Sequence, residues 1–493
     1  MKSEECSRIT SFLVSCLFGV VAAVALSPLP ALAADFYVSS VAGDDQNDGS
    51  SWASAKATIG AALEKASLTP ESDTIRVGQG DYDEVRIEVG AGVRLFGGYD
   101  ENTGLRDRTV YISKLVIHDA DLEPWLNLDS DTVLDGFLLE GIDLCPDPLD
   151  LIVSGCYQRI GYGVYVNPSS SNVVIQNNRI FKMIGATWMD CFGSPNPDCS
   201  GGSVRGISVG RSASNIEIIN NEIERMIGGD GYPYHVAPSQ AASGGNAIGI
   251  FVDSGVAGSV IAGNRIIEIT GGRGGDDICG NCSDPGDGGD SIGIQIVGGQ
   301  DVVVTGNSVT NGTAGDGGYG ESLLGGFTTR GLPGSYAGIS VSGTGEISDN
   351  TITSGRSGFP SGDAFGIDST GEVDIQNNDV SAISAGGGFE AYGGEAGGIR
   401  STGTAAGPVA IEHNVVGSIA GGNAGGKASG LAVAVSSRIF NNLVFDVQAG
   451  SASSYGPHGT ARGVSVESPD VSAVNNTVAR VKTDDLSPEY STA

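Results

Sequence analysis

Five carboxylates crowd one glycine-rich stretch, GGRGGDDICGNCSDPGDGGDS: Asp276, Asp277, Asp284, Asp287 and Asp290. Hard oxygen ligands in a flexible segment suit calcium, and a solvated acidic loop is the plainer use of the same residues. Cys279 and Cys282 interrupt the stretch, and Cys145, Cys156, Cys191 and Cys199 precede it. In an oxidising compartment this even set predicts three local disulfides, because the CGNC pair lacks a second pair of zinc ligands. Asp368 and Arg400 offer an acid and a base, or an exposed cross-strand ion pair. Tyr165, Phe251 and Gln295, and separately Trp188, Tyr232 and Tyr234, offer surfaces on which a sugar ring could stack; packing within their own segments is the alternative.

Positioning such groups falls to a repeat. Aligned on Asn178, Asn221, Asn264, Asn307 and Asn350, the chain recurs every 43 residues, and Asn378, Asn414, Asn442 and Asn476 continue the series. Three residues before each Asn stands Ile or Val, with Ala473 the exception, and two residues after it another Ile or Val. Positions that differ by an odd number cannot share a face of one straight strand, so the backbone must turn at the Asn. Asn tolerates the left-handed conformation that a tight corner demands, and stacked amides can bond from coil to coil. A second landmark, Gly163, Gly206, Gly249, Gly293, Gly338, Gly366, Gly398, Gly430 and Gly463, opens a short alternating strand in each unit. The unit therefore reads strand, turn, strand, Asn corner, strand and variable arc, which is a three-sided parallel β-helix of about twelve coils. Its geometry predicts an outward strip: Tyr165, Ser208, Phe251, Gln295, Ser340, Asp368, Arg400, Ala432 and Ser465.

These repeats resemble the right-handed parallel β-helix, or pectate-lyase-like, superfamily. The stretch from FYVSSVAGDDQNDGSSWASAKATIGAALEKA to VRLFGGYD resembles the amino-terminal module of secreted bacterial β-helix proteins of unassigned function. The resemblance implies an all-β solenoid with an amino-terminal capping helix, which we place within Ser54 to Ala66. It does not imply one activity, since the superfamily holds lyases, hydrolases, epimerases, adhesins and inert scaffolds. The NTD, GHG and RIK motifs of its polygalacturonase-like members and the DPHD motif of alginate epimerases are missing from this sequence. His118, His235, His413 and His458 stand alone, and Arg273, Arg205 and Arg211 are sparse companions for the acidic groups. Gly271 to Ile278 fits the calcium-binding nonapeptide of toxin-type β-rolls, but no tandem copy follows.

Composition narrows the partners. The formal charge of -32 argues against nucleic acid and anionic membrane surfaces, leaving cations or neutral polymers. Lys2 and Arg8 precede an apolar run ending in SPLPALA, which predicts a signal peptide over 1–33 and export to the periplasm, cell surface or medium, with no membrane span after its removal. A cleavage before Cys16 would instead make a lipoprotein. We expect one solenoid domain over 34–493, with 34–110 as cap and first coils and 130–480 as Asn repeats. The arcs from Asn to the next landmark Gly run 28, 28, 29 and 31 residues, then 16, 20, 16 and 21. The longer arcs should flank a groove. The expected function is a secreted, non-catalytic scaffold, adhesin-like or glycan-binding, with a polysaccharide or cell-surface component as partner; the alternative is a polysaccharide lyase or hydrolase acting beside the long arcs.

Overall fold

The computed structural model describes residues 33–68, 72–84, 86–116, 124–141, 160–185, 200–231, 242–276, 285–320, 329–388, 393–452 and 458–483. All six predicted disulfide cysteines, Trp188, Tyr232, Tyr234, Asp277 and Asp284 lie outside the described residues. So does the predicted signal segment, except its last residue.

Strands stack coil upon coil in a parallel β-helix. The strand after the Asn corner forms a sheet of twelve parallel strands, from Gly80–Asp83 to Thr477–Lys482. The other two sides merge into one sheet of twenty-one strands. The merger occurs because Ser291–Thr305, Tyr336–Ser348 and Ala364–Gln376 pass unbroken through the corner between them. We call the Gly-led strands the first sheet, the next the second, and the strands after the Asn the third. Two inward columns are in perfect register: Ile175, Ile218, Ile261, Val304, Ile347, Ile375, Ile411, Ile439 and Ala473, and Ile180, Ile223, Ile266, Val309, Ile352, Val380, Val416, Val444 and Val478. One aliphatic cluster runs the length of the stack.

The repeated Asn residues form a continuous ladder. Asn221 Nδ2 donates to Asn264 Oδ1 at 3.0 Å and to the Ile175 carbonyl at 2.8 Å, while its Oδ1 accepts from the backbone N–H and Nδ2 of Asn178 at 3.0 and 3.1 Å. The same links run from Asn264 to Asn476 at 2.9 to 3.0 Å. Every polar group of a side chain 0–2% exposed is thereby paired along Asn178 to Asn442. The ladder residue is not the one in left-handed conformation, which corrects the sequence reading. That conformation belongs to the residue before it: Asn177 (φ 59), Asn220 (φ 54), Gly263, Gly306, Asp349, Asn377, His413, Asn441 and Asn475. The Asn-Asn pair thus holds two separate roles, a corner and a ladder rung. In the preceding coil Gly136 takes the corner, and Phe137 donates its N–H to Asn178 Oδ1 at 3.0 Å.

A second bend follows each rung by four residues, with Lys182, Arg225, Glu268, Asn311, Ser354, Ala382, Ser418, Asp446 and Arg480 all at positive φ. It turns residues two and five past the Asn to the same inward face, so Met183, Met226, Ile269, Ile383, Ile419 and Val447 are buried beside the second column. Gly312 and Gly355 occupy this inward position in two coils, and the ring of Tyr336, 1% exposed, fills the space above them. The landmark glycines answer a similar constraint. A Cβ on Gly206 would sit 2.8 Å from Ile223 Cγ2, and one on Gly249 2.8 Å from Ile266 Cγ2.

The amino-terminal edge is covered by helix α1, Ile59–Ala66, whose Ile59, Ala62, Leu63 and Ala66 face the core. It is shorter than the predicted Ser54 to Ala66, because Trp52–Ser54 is a separate 3₁₀ turn. Its start is fixed by carboxylates: Glu84 accepts from the Ile59 and Gly60 N–H groups at 2.6 and 2.7 Å, and Asp45 from those of Ala57 and Thr58 at 2.9 Å. Burial raises the Glu84 carboxyl above its ordinary range, and these two amide bonds oppose the rise. No described helix is long and apolar enough to cross a membrane.

The arcs from the third sheet back to the first are built from glycine. Backbone bonds of 2.8 to 3.1 Å link Gly229 to Gly202, Gly245 to Gly229, Gly272 to Gly245, Gly289 to Gly272, and onward through Gly315, Gly334 and Gly358 to Gly450. Each outgoing arm bonds the returning arm, which bonds the next outgoing arm. Gly271 and Gly274 donate to Thr313 and Asp316 one coil on, whereas Gly272 and Gly275 donate across to Gly245 and Ala242. Donors therefore recur every third residue, the period of a polyproline-II segment. A Cβ on Gly245, Gly272 or Gly315 would overlap a neighbouring carbonyl oxygen. The described parts of these arcs form an ordered layer, where composition alone suggests loops.

Candidate functional site

Alternation and register place the predicted strip as a single outward column on the first sheet. Tyr165 pairs with Ser208, Ser208 with Phe251, Phe251 with Gln295, Gln295 with Ser340, Ser340 with Asp368, Asp368 with Arg400, Arg400 with Ala432 and Ala432 with Ser465. Beside it runs a second outward column, Tyr162, Arg205, Ile248, Ile292, Ala337 and Phe365. Ile248, Ile292 and Ala337 form an apolar cluster separate from the core, with Phe251 packed against it. Both columns read directly off the landmark Gly, at one residue before and two after; the sequence reading took only the second.

Two guanidinium–aromatic pairs mark this face. Arg205 Cζ lies 3.6 Å from the Phe251 ring centroid, and Arg400 Cζ lies 3.6 Å from that of Phe365. Arg400 also grips Asp368 with both prongs, Nε to Oδ1 at 2.8 Å and Nη2 to Oδ2 at 2.7 Å. That is the expected ion pair, and it engages both oxygens of Asp368. Tyr162 and Tyr165 lie beside Arg205 with ring centroids 5.2 Å apart and planes tilted by 58°.

Asp290, Ile292, Asp363, Phe365, Asp368 and Arg400 line a shallow pocket of about 150 Å³. Asp290 and Asp363 belong to a third column, three residues before the landmark Gly, which the sequence reading missed. Its side chains cap the neighbouring coil: Asn246 accepts from the Asp290 N–H, Asp290 from that of Ser335, and Asp363 from that of Glu395, each at 2.8 Å. Burial pushes the half-buried Asp290 carboxyl above the ordinary range, and the Ser335 amide opposes it.

Asp276 and Asp287, the other described carboxylates predicted for calcium, do similar work. Asp276 accepts from Tyr319 N–H at 2.8 Å and from Arg273 at 2.6 Å, and Asp287 accepts from Leu332 N–H at 2.7 Å. Gly271, Gly272 and Gly274 of the nonapeptide match belong to the glycine layer. Among the described residues no group of three His, Cys, Asp or Glu side chains could hold a metal ion. A larger recess, about 360 Å³, opens beside Gly136 and Asn177; of its charged lining residues, Arg108, Arg179 and Glu222, the last two are paired to each other at 3.4 Å. His413 is a corner residue, its Nε2 3.1 Å from Asn441 Nδ2.

No protein-family model and no curated protein matches this chain. Solved structures similar to it include a rhamnogalacturonan lyase at 14% identity, TM-score 0.34, covering 75% of this chain and 82% of that one. A GH136 lacto-N-biosidase from Eubacterium ramulus is 10% identical, TM-score 0.37, covering 90% and 68%. A pectate lyase is 13% identical, TM-score 0.33, covering 90% and 80%. At these values no residue role passes from them to this chain.

Proposed function

We propose that this is an exported polysaccharide-binding β-helix, whose binding platform is the outer face of the first sheet. The observation that carries the reading is the in-register pair of outward columns, which places Tyr165, Arg205, Phe251, Phe365 and Arg400 in that order along the stack on one face. Aromatic faces with polar and charged neighbours suit sugar rings, which present C–H faces and hydroxyl edges. Strands about 4.8 Å apart give the platform a regular spacing on which successive residues of a polymer could repeat their contacts. Affinity electrophoresis of the mature chain through gels containing purified polysaccharides tests it. Retardation by at least one polymer, weakened in Phe251→Ala and Phe365→Ala, is expected; free migration through a broad panel of neutral and acidic polymers would reject it.

A second reading, cleavage of the bound polymer, rests on Asp290. A carboxyl held above its ordinary range can keep a proton for a leaving group, and the pocket supplies Asp363 and Asp368 nearby. Its capping of Ser335 gives Asp290 a purely structural use, so the binding reading stands first. Assays for new reducing ends and for unsaturated products separate the two: turnover lost in Asp290→Asn would establish cleavage, and absence of products from a polymer that binds would leave binding alone.

A further inference from the structure

Arg205 lacks what Arg400 has. Both guanidiniums stack 3.6 Å over a phenylalanine one coil away, Arg205 on Phe251 and Arg400 on Phe365. In the second pair the carboxylate of Asp368 receives two N–H bonds. Around Arg205 no carboxylate takes that position: among the described residues it makes no ion pair, and its Nε is sealed from solvent with no acceptor. Ring stacking satisfies the flat face of a guanidinium but none of its in-plane donors. The side chain is half-buried between Tyr162, Tyr165 and Phe251, and burial lowers its pKa, so the site disfavours a bare cation. Asp253 acts on it through space only. Six other arginines, Arg76, Arg106, Arg179, Arg273, Arg438 and Arg480, are by contrast paired with carboxylates.

We propose that Arg205, with Phe251 and the Tyr162–Tyr165 pair around it, is a subsite for an oxyanion substituent, carboxylate or sulfate, borne by a sugar of the bound polymer. The oxyanion takes the place that Asp368 fills at Arg400, forming charge-assisted bonds to the in-plane N–H groups while the sugar ring rests on the aromatic edge. The inference deepens the platform reading and rests on it. It also runs against the net charge of -32, which repels polyanions at long range. Recognition must then be local, and added salt should weaken it less than it weakens binding to a basic surface.

Binding of the mature chain to polygalacturonate, dextran sulfate and unsubstituted dextran at constant ionic strength tests this. We expect one of the two polyanions to bind at least about tenfold more tightly than dextran, and Arg205→Gln to remove about that factor. The polyanion that binds decides between carboxylate and sulfate. Arg211→Gln, an exposed arginine outside the platform, should bind as the parent does. If Arg205→Gln fails to fold, Arg205→Lys keeps the charge but not the fork and should still lose most of the preference. Equal binding of dextran and polyanions, or an undiminished preference in both Arg205 variants, would overturn the subsite while leaving the platform intact. Failure to bind any polymer, including an extended neutral panel, would overturn both.

Discussion

At the scale of single residues, two neighbouring asparagines carry unlike burdens. Asn264 is a rung whose loss would leave the Asn221 N–H without its acceptor and take one partner each from Asn221 Nδ2 and the Ile218 carbonyl, at about 1–3 kcal/mol for a stranded buried group, while its backbone N–H would still reach Asn307 Oδ1. Asn220 is a corner at φ 54, where glycine is at ease and a β-branched residue is strained. Asn264→Ala should therefore lower the thermal midpoint sharply, Asn220→Gly hardly at all, and Asn220→Val in between; equal effects of the first two would refute the division of roles. Asp290 supplies a pH test. Its folded carboxyl sits above its unfolded value, so folding favours the protonated form. Its stabilising contribution is complete below the unfolded value and is lost as pH rises through the folded one. Asp290→Asn retains an oxygen for the Ser335 N–H, and should melt no lower than the parent at neutral pH while losing that part of the pH dependence. A clearly lower midpoint at neutral pH, with the parent's pH profile retained, would contradict the sign.

At the scale of elements, Tyr336 and the third sheet are matched parts. Its ring occupies the space left by Gly312 and Gly355, but its buried hydroxyl has no hydrogen-bond partner. Calorimetry should find Tyr336→Phe as stable as the parent or more so, and Tyr336→Ala less stable by about 3–5 kcal/mol for the cavity left behind; a destabilised Phe variant would mean that the hydroxyl is satisfied in solution. The glycine layer makes a parallel demand. An Ala at Gly272 would overlap the carbonyl oxygen of Gly229, so Gly272→Ala should speed amide exchange across 228–231 and 244–247. Unchanged exchange there would show that the arms do not depend on their close approach. This layer was illegible in the sequence because its signal is a three-residue period spread over arms of unequal length, and an abundance of glycine reads first as turns. The inward columns were legible because Ile and Val recur at fixed offsets from Asn. The bend four residues past the Asn was not, since Lys, Glu, Ser and Ala share that position and only the backbone unites them.

At the scale of the whole molecule, the helix turns a sequence period into straight lines on a surface, and function follows those lines. The strip from Tyr165 to Ser465 could be written down from alternation alone. Phe365 could not be singled out, and Arg205 and Asp290 could not be placed on this face, until the adjoining columns were in register with it, because the position of each within its own repeat is unremarkable. The calcium reading grouped Asp276, Asp277, Asp284, Asp287 and Asp290 by nearness in sequence; of these, the described Asp276, Asp287 and Asp290 each reach to a different backbone N–H one coil on. The central claim is that the polymer lies along the first sheet. Hydrogen exchange of the mature chain, with and without the polysaccharide that retards it most in gels, tests this directly. Protection is predicted in Ile160–Val166, Ser203–Val209, Ala247–Val252, Ala364–Gln376 and Ala396–Thr402, with none in the third-sheet strands. Protection confined to the third sheet, or no protection on the first, would contradict it.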